Sequence, residues 1–233
     1  MPDTIRSDTG SGVTTVTIDR PPVNALDLGT IRELTEAFSE AAPDAPIVLT
    51  GAGNVFSAGV DTKAFAGYAP AEKADMIGAI TVMTAAILSH KAPVVAAVNG
   101  HALGGGFVLM LCADVRLVAA RMEARFGLTE AKAGVPFPAG PLEIIRAELA
   151  PDVLRRLTLT SETISAETLL DLGIADRAIA PVDLLALARA RARDMADQPA
   201  FATVKQQVRG ALIARVKHLA VTGGDPGSGT FRN

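Results

Sequence analysis

Two stretches of small residues have the composition to do chemistry through their main chain: Phe56-Ser57-Ala58-Gly59-Val60-Asp61-Thr62-Lys63 and Asn99-Gly100-His101-Ala102-Leu103-Gly104-Gly105-Gly106-Phe107. In each, an apolar strand runs into small side chains, and a helix or turn then begins with free backbone N–H groups. Small side chains let a ligand oxygen reach the main chain, and N–H groups at a helix start carry partial positive charge. Two such donors converging on one point would stabilise an enolate oxygen. Taken alone, both stretches are equally well explained as strand-to-helix turns whose glycines serve close packing.

Other chemistries lack their residues. Gly51-Ala52-Gly53 is followed by Phe56, and Gly104-Gly105-Gly106 by Leu109, where a dinucleotide fingerprint places its third glycine. No glycine pair frames a Lys-Ser or Lys-Thr step, and Val55 replaces the leading glycine of a nucleophile elbow around Ser57. His90, His101 and His218 have no second histidine or cysteine at ligand spacing, so no metal is expected. His90 beside Lys91 reads as a cation at a helix C-terminus. His101 is either a ligand contact or a satisfied polar loop residue. Cys112, the only cysteine, sits in an apolar run and reads as a buried, unreactive thiol.

The elements that must position the two stretches follow from periodicity. Val13-Thr14-Thr15-Val16-Thr17-Ile18 reads as a strand stopped by Pro21-Pro22. Leu28, Ile31, Leu34 and Phe38 have helical spacing, with Thr30 and Glu33 as a capping box. Ile47 to Thr50 and Val94 to Val98 read as buried strands, and Asp114 to Val118 as another. A helix is expected from about Pro70 to Ser89, with Met76, Ile77, Ile80, Met83 and Ile87 on one face. Beyond Pro136 the strand signal fades, and 140–149, 151–160, 165–172, 181–197 and 199–219 read as mostly helical. Strands alternating with helices predict an α/β core.

At 233 residues, 49% hydrophobic and 20% charged, the chain suits one main domain. We expect a core over 1–180, a helical segment over 181–222 and a flexible tail over 223–233. A net charge of −3 with scattered Lys and Arg disfavours nucleic acid as a partner. The N-terminus lacks the apolar core of a signal peptide. No apolar stretch nears the roughly 20 residues of a membrane span, so a soluble cytoplasmic protein is expected.

The order and spacing of these motifs resemble the crotonase superfamily, the enoyl-CoA hydratases and isomerases. The resemblance covers nearly the whole chain: Ile18 to Leu26, Phe56 to Lys63, Asn99 to Phe107, Asp114, Phe126-Gly127-Leu128-Thr129-Glu130, and Ala166 to Gly173. It implies a spiral of ββα units with a C-terminal helical segment that mediates trimers, often paired into hexamers. It implies an acyl-CoA thioester as substrate, with no cofactor beyond the coenzyme A that the substrate carries. It places the two oxyanion donors at Val60 and Gly105. Substrate contacts fall at Ala25, Ser57, Ala58, Gly59, Asp61, Lys63, Gly104, Val108 and Thr129, with Lys63 and Arg20 as partners for CoA phosphates.

Hydratases of this family use two glutamates, because adding water requires positioning it and moving two protons. The first of those positions is Val108 here, and the second is Glu130. One carboxylate suffices for the family's Δ3,Δ2-enoyl-CoA isomerases, which the chain resembles further in Pro21-Pro22-Val23-Asn24 and Gly127-Leu128-x-Glu130. The expected reaction is therefore a double-bond shift with Glu130 as base, its pKa raised by apolar neighbours such as Phe107, Val108 and Val135. Glu143 is a second candidate carboxylate. Hydratase, hydrolase or decarboxylase chemistry on the same fold, or a non-catalytic acyl-CoA-binding subunit, are the alternatives.

Overall fold

The computed structural model describes residues 3–223. In chain order the elements are β1 (Ile5–Gly10), β2 (Val13–Ile18), α1 (Leu28–Glu40), β3 (Ile47–Gly51), β4 (Val55–Ser57), α2 (Thr62–Gly67), α3 (Pro70–Leu88), β5 (Val94–Val98), β6 (His101–Leu103) and α4 (Gly105–Cys112). They continue with β7 (Val115–Ala119), β8 (Phe126–Gly127), α5 (Glu130–Ala133), α6 (Ala139–Glu148), α7 (Pro151–Thr160), α8 (Ala166–Asp171), β9 (Arg177–Ile179), α9 (Leu184–Ala196) and α10 (Phe201–Thr222).

A six-stranded sheet runs β1-β2-β3-β5-β7-β9, antiparallel only at the β1–β2 hairpin, and a three-stranded parallel sheet runs β4-β6-β8. Each turn of the chain puts one strand in the large sheet and the next in the small one before a helix returns it: β3-β4-α3, β5-β6-α4 and β7-β8-α5. This is the expected spiral of ββα units. The β4-β6-β8 layer carries the two small-residue stretches, because they leave the C-terminal ends of β4 and β6.

Alternate residues of the large sheet enter two cores, as pleating requires. Val16, Leu49, Val94, Ala96 and Val98 face the main core with α1, α3 and α4. Val13, Val48, Val95, Ala97 and Leu117 face the opposite side, where Leu184, Ala188, Ala192 and Met195 of α9 cover them. Sheets with both faces covered read as near-continuous apolar runs, which is why β3 and β5 were legible, and β7 despite Arg116. α9 therefore completes the sheet, and α10 packs on α3 and α6.

Several local expectations change. Strand β1 was not expected: Ile5-Arg6-Ser7-Asp8-Thr9-Gly10 carries one apolar side chain and lies mostly exposed at the sheet edge. Strand β9 occurs where the strand signal had faded, being only three residues long. The cap of α1 is Asp27, whose Oδ1 accepts from Thr30 N at 2.8 Å. Glu33 instead accepts from Thr4 N at 2.7 Å and Ile5 N at 3.1 Å, holding β1 against α1. His90 is not a capping cation: it is buried, with Nε2 at 2.8 Å from the Ala45 carbonyl. Burial pushes its pKa below the ordinary value, favouring the neutral ring. Among the described residues no helix is long and apolar enough to cross a membrane. Apart from Gly223, the segment expected as a flexible tail lies outside the described residues.

Candidate active site

The first stretch is shaped by hydrogen bonds that leave one donor over. Ser57 Oγ donates to Asn24 O at 2.7 Å and accepts from Gly59 N at 3.1 Å, tightening the turn after β4. Gly59 has φ +83, and a Cβ there would lie 2.6 Å from Leu103 O, so only glycine lets the two stretches meet. Leu26 then pairs with Val60 in an isolated parallel bridge. Its two bonds are Leu26 N–H to Gly59 O at 2.8 Å and Asp61 N–H to Leu26 O at 2.9 Å. The Val60 N–H is outside this ladder.

The second stretch supplies its neighbour. Gly104 N–H is tied to Gly127 O at 2.8 Å, and α4 begins at the next residue. As the first residue of the helix, Gly105 has no intrahelical partner for its N–H. A Cβ on Gly105 would lie 3.7 Å from Val60 N and 3.5 Å from Leu26 Cδ1. The main-chain N–H groups of Val60 and Gly105 thus lie close together where the two stretches meet.

Glu130 faces the same spot from α5. A Cβ on Gly104, itself at φ +51, would come within 3.3 Å of Glu130 Oε1. Oε2 is buried and has no hydrogen-bond partner among the described residues. Burial pushes the Glu130 pKa up to about 7, only partly offset by a bond from its own backbone N–H. The surrounding cleft encloses about 830 Å³ including its open mouth. Its walls are apolar: Ile77, Ile80 and Met83 from α3, Val108 from α4, Val135 and Phe137 from the segment after α5, and Pro141 from α6.

The Enoyl-CoA hydratase/isomerase family pattern matches residues 8–222. The chain belongs to this family. Among curated members it is 36% identical over 217 residues to a carnitinyl-CoA dehydratase of Salmonella arizonae, covering 90% of this chain and 81% of that protein. A carnitinyl-CoA dehydratase of Escherichia coli strain K12 is 34% identical with the same coverage. Among solved structures, an enoyl-CoA isomerase of Mycobacterium tuberculosis superposes with a TM-score of 0.86 at 27% identity, over 99% of both chains. The human mitochondrial Δ3,Δ2-enoyl-CoA isomerase gives 0.87 over 98% of this chain and 90% of that one; at 23% identity it speaks to the fold alone.

Within this family member, the cleft brings together Ala58, Val60, Gly104, Gly105, Val108, Thr129 and Glu130 of the sequence candidates. Ser57 and Gly59 are buried behind them, serving the loop's own turn. Ala25 and Asp61 lie outside the lining. The Ala25 carbonyl accepts from Arg20 Nη1 at 3.2 Å, and Asp61 caps α2 through Lys63 N and Ala64 N. That bond from Ala64 N–H, opposed by burial and aided by Arg20, holds the Asp61 carboxyl below its usual range. Arg20 bridges Asp27 at 3.0 Å and Asp61 at 2.9 Å, so its guanidinium is committed to two carboxylates. Lys63 is exposed on α2, outside the cleft lining.

Glu143 is not brought to the cleft. It sits on α6, paired with Arg146 at 3.3 Å and with Arg215. His101 accepts from Arg125 N through Nδ1 at 3.1 Å, the satisfied-polar reading. Cys112 is buried, its thiol pushed up to about 12 by that burial, which leaves no thiolate for chemistry. Among the described residues no group of three or more His, Cys, Asp or Glu is arranged to hold a metal. Sequence reasoning assigned Ile77, Ile80 and Met83 to a core face and missed their part in the cleft. The available signal was that α3 is apolar on more than one face, more than a single core contact needs.

Proposed function

We propose that this protein is an enoyl-CoA isomerase that converts 3-enoyl-CoA to 2-enoyl-CoA with Glu130 as the only acid–base group. The Glu130 carboxylate takes a proton from C2. The C2–H electron pair forms a C1–C2 double bond as the carbonyl π pair moves onto the thioester oxygen, giving a dienolate whose oxygen the N–H groups of Val60 and Gly105 stabilise. Glu130, now a carboxylic acid, returns the proton to C4, and the double bond rests between C2 and C3. The steps balance without water or any co-reactant beyond the thioester. Each oxyanion donor is worth about 3 kcal/mol of barrier if typical of such sites.

The observation that carries this reading is a single carboxylate in an apolar cleft, its buried Oε2 without a hydrogen-bond partner among the described residues, with Val108 where a hydratase would have its other glutamate. A pKa near 7 suits a group that must first accept and then donate a proton. The dehydratase reading is favoured by the 36% identity to a carnitinyl-CoA dehydratase. Hydratases of this family use a second glutamate for the water, and among the described residues the cleft lining holds no carboxylate, histidine or lysine besides Glu130. Offering 3-enoyl-CoA, 2-enoyl-CoA and carnitinyl-CoA separately to the purified protein tests the choice. We expect turnover of the 3-enoyl thioester; consumption of only the 2-enoyl or carnitinyl thioester contradicts the proposal.

A further inference from the structure

The helix that begins at the candidate oxyanion hole is anchored at its other end by the C-terminal helix. α4 spans eight residues, Gly105 to Cys112, and every side chain on it is glycine or apolar. At about 1.5 Å per residue it is a rod of about 12 Å. Its N-cap, Gly104, provides no side-chain hydrogen bond, and the helix has no basic residue of its own in the last turn. Its last carbonyls are nevertheless buried and require donors from elsewhere.

Arginines supply them. Arg209, on α10, donates from Nη1 to Cys112 O at 3.1 Å and to Ala113 O at 3.3 Å, and from Nη2 to Leu111 O at 3.1 Å. Arg116, on β7, adds Nη2 to Leu111 O at 3.0 Å. Both guanidinium groups are locked in turn. Glu148 of α6 pairs with each of them, and Asp114 pairs with Arg209 at 3.2 Å and with Lys205 at 2.6 Å. The five side chains are 5–17% exposed, so none is a solvated surface pair. Cations at a helix C-terminus also oppose the negative end of its dipole.

We infer that Arg209 is a positioning residue for the oxyanion hole, holding the C-terminal end of α4 and so the direction of the Gly105 N–H at the opposite end. A main-chain donor has no side chain to adjust, so its aim depends on where the helix lies. α4 is a buried rod with a glycine N-cap, whose N–H bonds the Gly127 carbonyl, at one end and a guanidinium clamp at the other. A tilt released at the clamp is expressed at the hole, and misdirecting one donor weakens the charge stabilisation it provides. This inference rests on the proposed hole.

The test is the thioester carbonyl stretch of a 2-enoyl-CoA, 13C-labelled at the carbonyl and bound to the full-length protein, measured by Raman difference spectroscopy beside steady-state kinetics. In the wild type we expect the stretch to fall below its value in buffer. In Arg209→Gln we expect much of that shift to be lost and kcat to fall on the order of tenfold with KM little changed; Arg209→Lys should restore part of both. Val216→Ala, at a buried core position of the same helix, should lower thermal stability and keep the shift. If Arg209→Gln fails to fold, Arg209→Lys carries the comparison with an intermediate shift. Arginine variants that lose thermal stability but keep the wild-type carbonyl shift and kcat overturn the inference. An unshifted carbonyl in the wild type is a different result, and it overturns the hole itself.

Discussion

Glu130 carries opposite consequences for activity and for stability, and both follow from its burial. As the proposed base it must be ionised, so kcat/KM should rise as pH increases through about 7 and then level off. A profile flat from pH 5 to 9 would remove Glu130 from the proton path. The sign for folding is the reverse. A carboxyl whose folded pKa of about 7 exceeds its ordinary 4.5 favours the fold below pH 4.5, and that advantage disappears as pH rises through 7. Glu130→Gln should therefore match the wild type in stability near pH 4 and exceed it by up to about 3 kcal/mol at pH 8, measured by chemical denaturation. Gly105 allows a second test at this scale. A Cβ there meets only ordinary contacts of 3.5–3.7 Å, so Gly105→Ala should fold with an unchanged Tm. The methyl would occupy the place of the oxyanion, and kcat/KM should fall at least about 100-fold. Gly106→Ala, by contrast, would set a Cβ 2.3 Å from Ser57 O and should destabilise the protein itself.

The elements around the hole are held by charged side chains that the sequence does not mark as structural. The two stretches were legible because small residues after an apolar strand have a local signature. Arg20 has no such signature: basic residues are usually exposed, and its partners Asp27 and Asp61 are seven and 41 positions away in the chain. In the structure it joins the cap of α1 to the cap of α2, across the bridge that presents Val60. We predict that Arg20→Gln lowers stability by about 1 kcal/mol, as expected for partly exposed pairs. It should leave the preference for acyl-CoA over the corresponding dephospho-CoA thioester unchanged; a preference abolished by the substitution would return Arg20 to phosphate binding. The same limit hid the clamp on α4. Asp114, Glu148, Lys205 and Arg209 are up to 95 positions apart, and only the fold reveals them as one network. Thr30 illustrates the converse: its spacing to Glu33 satisfied the capping-box pattern, yet Asp27 lay one turn earlier and took the cap.

Over the whole molecule, the α/β alternation was readable because β3 and β5 are buried on both faces and so appear as apolar runs, and β7 keeps that pattern around Arg116. The outer strands β1 and β9 were not, since an edge strand that faces solvent or spans three residues lacks that pattern. The second layer, β4-β6-β8, consists of strands of two or three residues, too short for periodicity to register. Only the motif order, which resembles the family, pointed to the spiral that contains them. That resemblance also motivates our proposal that the protein assembles as a homotrimer or a hexamer. Light scattering should give three or six times the 24.0 kDa chain mass, and a monomer at micromolar concentration would contradict it. In the proposed reaction one carboxylate moves the proton from C2 to C4 beneath two main-chain donors. Its most direct test compares turnover of a 3-enoyl-CoA by the wild type and by Glu130→Gln, following the double bond by NMR. We expect 2-enoyl-CoA from the wild type and a loss of at least about 1000-fold in the variant; equal turnover by the two proteins would rule out Glu130 as the base.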